Sequence, residues 1–142
     1  MFDRARSLGI YDSVLKQLIH HFKYRKQPGA MKEIVPLIET RFPASGEVYE
    51  GFHVVPVPLH IDKLRERRFD QSYLIAKAVA QRLRLPLCDD LLIRSKPTES
   101  QTRKHRSERL KNVRGAFRLN RLDVVAGKDI LLVDDVFTLA RA

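Results

Sequence analysis

Two adjacent acidic residues follow an apolar run near the end of the sequence. The run from Ile130 to Val133 has the composition of a buried strand, and Asp134 and Asp135 come directly after it. Ligands of open α/β sheets bind beyond the carboxyl ends of the strands. Neighbouring carboxylates at such a place can accept hydrogen bonds from the adjacent hydroxyls of a sugar, or hold a divalent cation. The spacing alone is equally consistent with a structural role, in which one of the two carboxylates caps a following helix.

A second chemical signal is a concentration of positive charge in residues 94–121. This segment holds ten Lys and Arg residues against Glu99 and Glu108, so most of the chain's formal net charge of +10 lies in it. Such charge attracts polyanions, which include nucleic acids, phosphorylated metabolites and acidic proteins. Because apolar periodicity is nearly absent before Val113, we expect a flexible basic loop over residues 94–117 that ends in a short strand.

The composition is that of a soluble globular protein. Of the 142 residues, 44% are hydrophobic and 31% are charged. This hydrophobic content is well above that of intrinsically disordered proteins, so we expect a folded chain. The single cysteine, Cys88, excludes an internal disulfide, and neither it nor His60 has the companions that a metal site requires. No apolar run approaches the ~18–20 residues of a membrane span, and the first twelve residues lack the short hydrophobic block that is typical of a secretion signal. We therefore expect a cytoplasmic protein without a membrane span.

The helices that must position these groups are predicted from apolar periodicity. The pattern predicts helices at Asp12–Lys26, Ala30–Phe42 and Gln71–Leu85, the second of them kinked by Pro36. Asp70 stands in the N-cap position of the third helix. The first helix has an apolar face that we expect to be buried, formed by Val14, Leu15, Leu18, Ile19 and Phe22.

Strands are predicted at Phe52–Pro58, at Leu87–Ile93, near Phe117 and at the run that precedes the acid pair. The first and the last of these are too apolar for half-exposed strands, so we interpret them as buried strands of a parallel sheet. The order of helices and strands predicts an α/β fold with a doubly wound parallel sheet. We expect residues 1–50 to form a helical region packed on this core, and residues 51–142 to form the sheet domain.

Five motifs, in this order along the chain, resemble those of the ComF (competence protein F) family. They are Y-x4-K-x2-I-x2-F-K-Y at Tyr11–Tyr24, V-P-V-P-L at Val55–Leu59, R-F-D-Q at Arg68–Gln71, T-x2-Q at Thr98–Gln101, and E-R-x2-N-V-x2-A-F at Glu108–Phe117. The segment from Ile130 to Thr138 also resembles the start of the phosphoribosyl pyrophosphate signature of type I phosphoribosyltransferases. The resemblance covers nearly the whole chain and implies a type I phosphoribosyltransferase-like sheet with N-terminal helices.

The resemblance implies that the end of the chain binds the phosphoribosyl group of phosphoribosyl pyrophosphate. Asp134 and Asp135 would be the catalytic acid pair and would hold the 2- and 3-hydroxyls of the ribose. Backbone N–H groups of the following turn, at Val136, Phe137 and Thr138, would receive the 5-phosphate. Mg²⁺ would be bound together with phosphoribosyl pyrophosphate, as the cofactor.

The resemblance also implies three groups that bind pyrophosphate. Pro58, Leu59 and His60 would form a pyrophosphate loop at the end of the first strand, and Arg67 and Arg68 would add positive charge beside it. The basic segment would close over the site, exclude water and neutralise the leaving pyrophosphate. Its ligand-binding residues would be Lys96, Gln101, Arg103 and Arg109. Taken by itself, the cluster of positive residues from Lys63 to Arg68 favours an ordinary solvated surface.

The sequence departs from the family pattern in three places. It starts after the position at which the family's cysteine-rich zinc module would end, and Arg68 stands where the family's R-G-F-N-Q motif has glycine. The last residues, Thr138-Leu139-Ala140-Arg141-Ala142, replace T-T-G-A-T. Because the loss of one nucleotide can turn codons for Thr-Gly-Ala into codons for Leu-Ala-Arg, we expect a truncated or frameshifted product with an incomplete phosphoribosyltransferase-like domain. A natural short form or an arbitrary chain end is the alternative.

These observations lead to expectations of function from different classes. The first is a ComF-type phosphoribosyltransferase-like protein, linked to DNA uptake, that binds phosphoribosyl pyrophosphate or a nucleotide-like ligand and has impaired transferase activity. The alternative is a non-catalytic, basic accessory protein for DNA uptake, with single-stranded DNA or DNA-uptake proteins as partners. A partner-dependent remnant is a third interpretation. No helix-turn-helix or zinc-finger spacing is present, and aromatic residues do not interleave the basic segment, which disfavours sequence-specific binding and base stacking.

Overall fold

The chain alternates helices with short strands. The computed structural model describes residues 4–9, 12–24, 28–42, 46–96 and 115–136. In these ranges the helices are α1 (Ser13–Tyr24), α2 (Met31–Arg41), α3 (Ile61–Arg67), α4 (Gln71–Leu83) and α5 (Leu122–Val125). The strands are β1 (Phe52–Pro56), β2 (Leu92–Arg94), β3 (Phe117–Leu119) and β4 (Asp129–Val133), and 3₁₀ turns form at Pro28–Ala30 and Gly46–Tyr49. The prediction of an α/β protein is confirmed.

The central structural unit is a parallel pair of strands, β1 and β4. Their register runs from Phe52 opposite Asp129 to Pro56 opposite Val133. On the other side of β1, Leu87 forms a single parallel bridge with Val54. The Val54 N–H donates to the carbonyl of Pro86 at 2.9 Å, and the Cys88 N–H donates to the carbonyl of Val54 at 2.8 Å. The predicted buried strand at Phe52–Pro58 is thus β1, paired along both of its edges.

The segment predicted as one strand from Leu87 to Ile93 is divided in two, so this prediction is wrong in part. After the bridge at Leu87 the chain turns at Asp89 and Asp90. It then enters β2, which pairs antiparallel with β3 and not with the parallel sheet. Aspartate side chains favour turns because they bond to the backbone locally, which explains the break.

Helix α4 covers one face of the parallel pair. The small side chains Ala76 and Ala80 contact Val54, and Leu131 and Val133 of β4 pack against the same cluster. Small residues on the inner face of a helix allow its backbone to approach a sheet closely. The helix begins at the Asp70 cap, as predicted, and ends where Arg84 adopts a left-handed conformation with φ of 55°.

The N-terminal helices share a core with α4. This core is formed by the buried residues Phe22, Ile34, Ile38, Tyr49, Ile75, Val79 and Leu83. The ring of Phe22 stacks on Phe69 at a centroid distance of 5.5 Å. Burying a side chain of this size contributes about 1.5–3 kcal/mol. Residues from both predicted regions, 1–50 and 51–142, therefore contribute to one hydrophobic cluster.

Three side chains that the sequence analysis placed in the core are exposed. Val14, assigned to the inner face of α1, is 76% exposed, whereas Ile19 and Phe22 are buried as expected. In β4, Leu132 is 57% exposed on the face that α4 does not cover, and Ile130 is also exposed. Composition indicated a strand that is buried on both faces, but the described residues cover only one.

Helices α3 and α5 were not predicted, while α2 was predicted nearly to its ends. Helix α2 continues through Pro36 as a single element. No helix in the described ranges is long and apolar enough to cross a membrane. Most of the predicted basic loop, residues 97–114, lies outside the described residues, and so does the turn after Val136.

Candidate functional site

The two loops that follow β1 and β4 lie side by side. Because the strands run parallel, their carboxyl ends meet at one edge of the sheet. The pairing continues one residue beyond β1, where the Val57 N–H donates to the carbonyl of Val133 at 2.8 Å. Asp134, which is exposed, and Asp135, which is half-buried, therefore emerge beside Pro58 and Leu59. We define this edge, with its two loops, as the carboxyl-edge site.

Asp70 links α4 to the loop after β1. Its Oδ1 accepts the N–H of Tyr73 at 3.1 Å and so caps the helix. Its Oδ2 accepts the N–H of Leu59 at 2.9 Å. One carboxylate thus satisfies a backbone donor of the first helical turn and holds the predicted pyrophosphate loop.

Ser72 links the same helix to the loop after β4. Its hydroxyl donates to Oδ1 of Asp134 at 3.0 Å, and the N–H of Asp135 donates to the same oxygen at 2.8 Å. Ser72 is only 4% exposed, so its hydroxyl is directed into the protein and not to solvent. The first turn of α4 therefore bonds both loops of the carboxyl-edge site.

The C-terminal end of α3 brings positive charge to the start of α4. The Arg67 Nη1 donates to Oε1 of Gln71 at 3.3 Å. Arg68 ends α3 in a left-handed conformation with φ of 68°. Glycine adopts this conformation without strain, which gives a physical reason why a related motif has glycine at the position of Arg68.

Arg94, the last residue of β2, lies within the electrostatic influence of the carboxyl-edge site. Arg94 lies over the ring of Phe117, with 5.4 Å from its Cζ to the ring centroid. Burial lowers the pKa of Arg94, while the negative charges of Asp134 and Asp70 oppose this change. The cation of Arg94 therefore shares the electrostatic environment of both aspartates, in addition to the charge expected from Arg67 and Arg68.

The other predicted site residues fall into two groups. His60 is the N-cap of α3, where its Nδ1 accepts the N–H of Asp62 at 3.4 Å, and Lys96 is exposed two residues after the end of β2. Val136 follows the acid pair and is half-buried. The remaining predicted residues, which are Gln101, Arg103, Arg109, Phe137 and Thr138, lie outside the described residues.

The acidic groups do not form a metal cage from protein side chains alone. Within the described ranges, no cluster of three or more His, Cys, Asp or Glu residues could hold a metal ion. The adjacent carboxylates of Asp134 and Asp135 nevertheless offer the oxygen donors that Mg²⁺ prefers. Magnesium is usually bound through one or two carboxylates together with substrate phosphates. The donor set fits Mg²⁺ that arrives with a phosphorylated ligand.

Sequence reasoning missed Ser72 and the second bond of Asp70. Ser72 directly follows the R-F-D-Q motif, but its partner Asp134 is 62 residues away along the chain. The cap position of Asp70 was visible in the sequence, and the contact with Leu59 was not. A hydroxyl at the second position of a capped helix that begins at a sheet edge is the signal that could have suggested this contact.

A comparison with curated proteins finds similarity to "Competence protein ComFC" of Bacillus subtilis (strain 168). The two sequences are 29% identical over an alignment of 136 residues, which covers 94% of this chain and 52% of that protein. The chain thus spans about half the length of this relative. No protein-family profile matches the chain, and no solved structure matches it.

Proposed function

We propose that this chain, which belongs to the ComF family, binds phosphoribosyl pyrophosphate or a related nucleotide-like ligand at the carboxyl-edge site. One observation carries the proposal. The parallel register of β1 and β4 brings the acid pair Asp134-Asp135 beside the loop at Pro58 and Leu59. A site for a sugar phosphate requires carboxylates that accept hydrogen bonds from the sugar hydroxyls, and a neighbouring loop that binds the phosphate.

In this proposal, the acid pair and the cations act on different parts of the ligand. Asp134 and Asp135 accept hydrogen bonds from the two ribose hydroxyls. The loop at Leu59 and His60 approaches the pyrophosphate, with its backbone held by Asp70. Arg94 and Arg67 supply positive charge around the carboxylates, which reduces the repulsion between the acid pair and the phosphates.

Mg²⁺ belongs to the proposal as the partner of the pyrophosphate. It would neutralise phosphate charge and would be held jointly by the phosphates and by carboxylate oxygens of the acid pair. Oδ1 of Asp134 accepts hydrogen bonds from the Ser72 hydroxyl and from the Asp135 N–H, and these two bonds favour one orientation of the carboxylate.

Isothermal titration calorimetry of the full chain with phosphoribosyl pyrophosphate and MgCl₂ tests the proposal. The double variant Asp134→Asn with Asp135→Asn should bind at least about tenfold more weakly, because each carboxylate loses a charge-assisted hydrogen bond. The matched control is Glu33→Gln with Glu39→Gln, which removes the same charge from two exposed residues of α2. It should bind as the unmodified chain does.

Two results would contradict the proposal. One is the absence of heat of binding in the unmodified chain at millimolar ligand. The other is an equal loss of affinity in the acid-pair variant and in the α2 control, because this would mean that net charge alone determines binding.

A second candidate function is a basic accessory protein that binds single-stranded DNA in competence. The formal net charge of +10 favours it, and the relative described above is named a competence protein. Fluorescence anisotropy with a labelled oligonucleotide at several salt concentrations measures this activity. If the protein neutralises Z phosphates, the logarithm of the binding constant should fall with the logarithm of salt concentration with a slope of about −0.7Z. An affinity that does not depend on salt would exclude it.

A further inference from the structure

The first turn of α4 is joined to the carboxyl-edge site by a buried hydroxyl. Ser72 is the second residue of the helix after the Asp70 cap, and its side chain is nearly inaccessible to solvent. An ionised carboxylate has acceptors only, so the hydroxyl of Ser72 must donate its proton to Oδ1 of Asp134. The bond joins a rigid helix to a residue of a loop.

This bond restricts the side chain of Asp134 in a way that its backbone does not. The N–H of Asp135 donates to the same oxygen at 2.8 Å, but it belongs to the same loop and moves with it. The Ser72 hydroxyl is fixed instead by α4, whose Ala76 and Ala80 pack against β1. Two donors from different elements on one oxygen hold the plane of the carboxylate relative to the sheet.

We propose that Ser72 is a positioning residue, which orients the Asp134 carboxylate for the vicinal hydroxyls of a ribose phosphate. The inference rests on the proposed function, since it assigns the orientation of a carboxylate that the proposal places on the ribose. It adds a residue outside the acid pair and outside the motifs. A carboxylate that is already oriented does not lose rotational freedom when the ligand binds, so orientation increases affinity for the hydroxyls in particular.

The test compares two ligands that differ only in these hydroxyls, ribose 5-phosphate and 2,3-dideoxyribose 5-phosphate. Calorimetry of the full chain measures the affinity for each ligand, and the preference ratio is the affinity for ribose 5-phosphate divided by the affinity for the dideoxy ligand. We expect the unmodified chain to prefer ribose 5-phosphate by about tenfold or more, as one or two charge-assisted hydrogen bonds require. In Ser72→Ala the ratio should fall to about one third of this value or lower, with little change in affinity for the dideoxy ligand.

Three variants separate positioning from a general structural effect. Ser72→Thr keeps the hydroxyl and should recover most of the preference. Thr40→Ala removes a hydroxyl that donates to the carbonyl of Pro36 in α2, and it should leave the ratio unchanged. On an Asp134→Ala background, Ser72→Ala should have no further effect on the ratio, because the two residues act through one hydrogen bond.

Alanine is a better helix former than serine, so Ser72→Ala should not disrupt α4, and circular dichroism verifies this. If the unmodified chain binds both ligands equally, the proposed function itself is wrong. If the chain prefers ribose 5-phosphate and Ser72→Ala retains the full ratio, only the positioning role is wrong. The positioning role is also wrong if Ser72→Ala lowers the preference ratio further on the Asp134→Ala background.

Discussion

Asp70 and Asp12 both cap helices, but only Asp70 also holds a loop, and this difference predicts a difference in stability. Oδ1 of Asp12 accepts the N–H groups of Val14 and Leu15, both at 3.2 Å, at the start of α1. Replacing such a cap by alanine costs about 1 kcal/mol in the free energy of unfolding. Asp12→Ala is therefore the control for the capping function alone.

Asp70→Ala removes a cap of the same kind and a second hydrogen bond. The N–H of Leu59 loses its carboxylate acceptor at 2.9 Å, and a hydrogen bond to a charged group contributes about 1.5–3 kcal/mol. The total loss should therefore be about 2.5–4 kcal/mol, against about 1 kcal/mol for Asp12→Ala. Asp70→Asn keeps one side-chain oxygen for the Tyr73 N–H and should fall between these values.

Urea denaturation followed by circular dichroism measures both losses on the same protein. Linear extrapolation is suitable because differences in the free energy of unfolding between variants with equal slopes are well determined. If Asp70→Ala and Asp12→Ala destabilise the protein equally, to within about 0.5 kcal/mol, the bond to Leu59 contributes nothing and the reasoning is refuted.

Three further predictions concern residues at the edges of the fold. Arg82 donates to two carbonyls at the C-terminal end of α2, from Nε at 3.2 Å and from Nη2 at 3.1 Å, so Arg82→Ala should lower the free energy of unfolding by about 1–2 kcal/mol in the same urea assay. Burial raises the pKa of Cys88, and Asp90 raises it further, so the thiol should react more slowly with iodoacetamide near pH ~8 than a cysteine in a short peptide, and Asp90→Asn should increase the rate. Arg68→Gly should change the free energy of unfolding by between zero and a gain of about 1 kcal/mol in the same urea assay. It removes a non-glycine residue from a left-handed conformation, and the entropy that glycine adds to the unfolded chain offsets part of this gain. A clear loss of stability would contradict this prediction.

The parts of the fold that were predictable have local signals. The apolar composition of β4 and the acid pair after it are contiguous in sequence, and so are Asp70 and the amphipathic helix that it caps. Helix α3 lacks such a signal, because its seven residues include no buried side chain and it is defined by the His60 cap and the left-handed Arg68. A short helix without an apolar face cannot be recognised from periodicity.

The unpredicted features depend on residues that are distant in sequence. Leu132 has the composition of a core residue, but its exposure depends on what else packs on that face of the sheet. The bond between Ser72 and Asp134 exists only because β1 and β4 pair in parallel and α4 covers one face of the pair. Neither spacing nor propensity contains this information, so the acid pair could be named from the sequence and its hydrogen-bond partner Ser72 could not.

The most direct test of the carboxyl-edge site is a titration of the ¹⁵N-labelled chain with phosphoribosyl pyrophosphate and MgCl₂, followed by NMR amide chemical shifts. We predict that the largest shifts occur at Leu59, Ser72 and Asp135, whose amides lie in the two loops and in the first turn of α4. Largest shifts at Phe52 and Leu85, which lie around a cavity of about 440 Å³ at the opposite end of β1, would contradict the account.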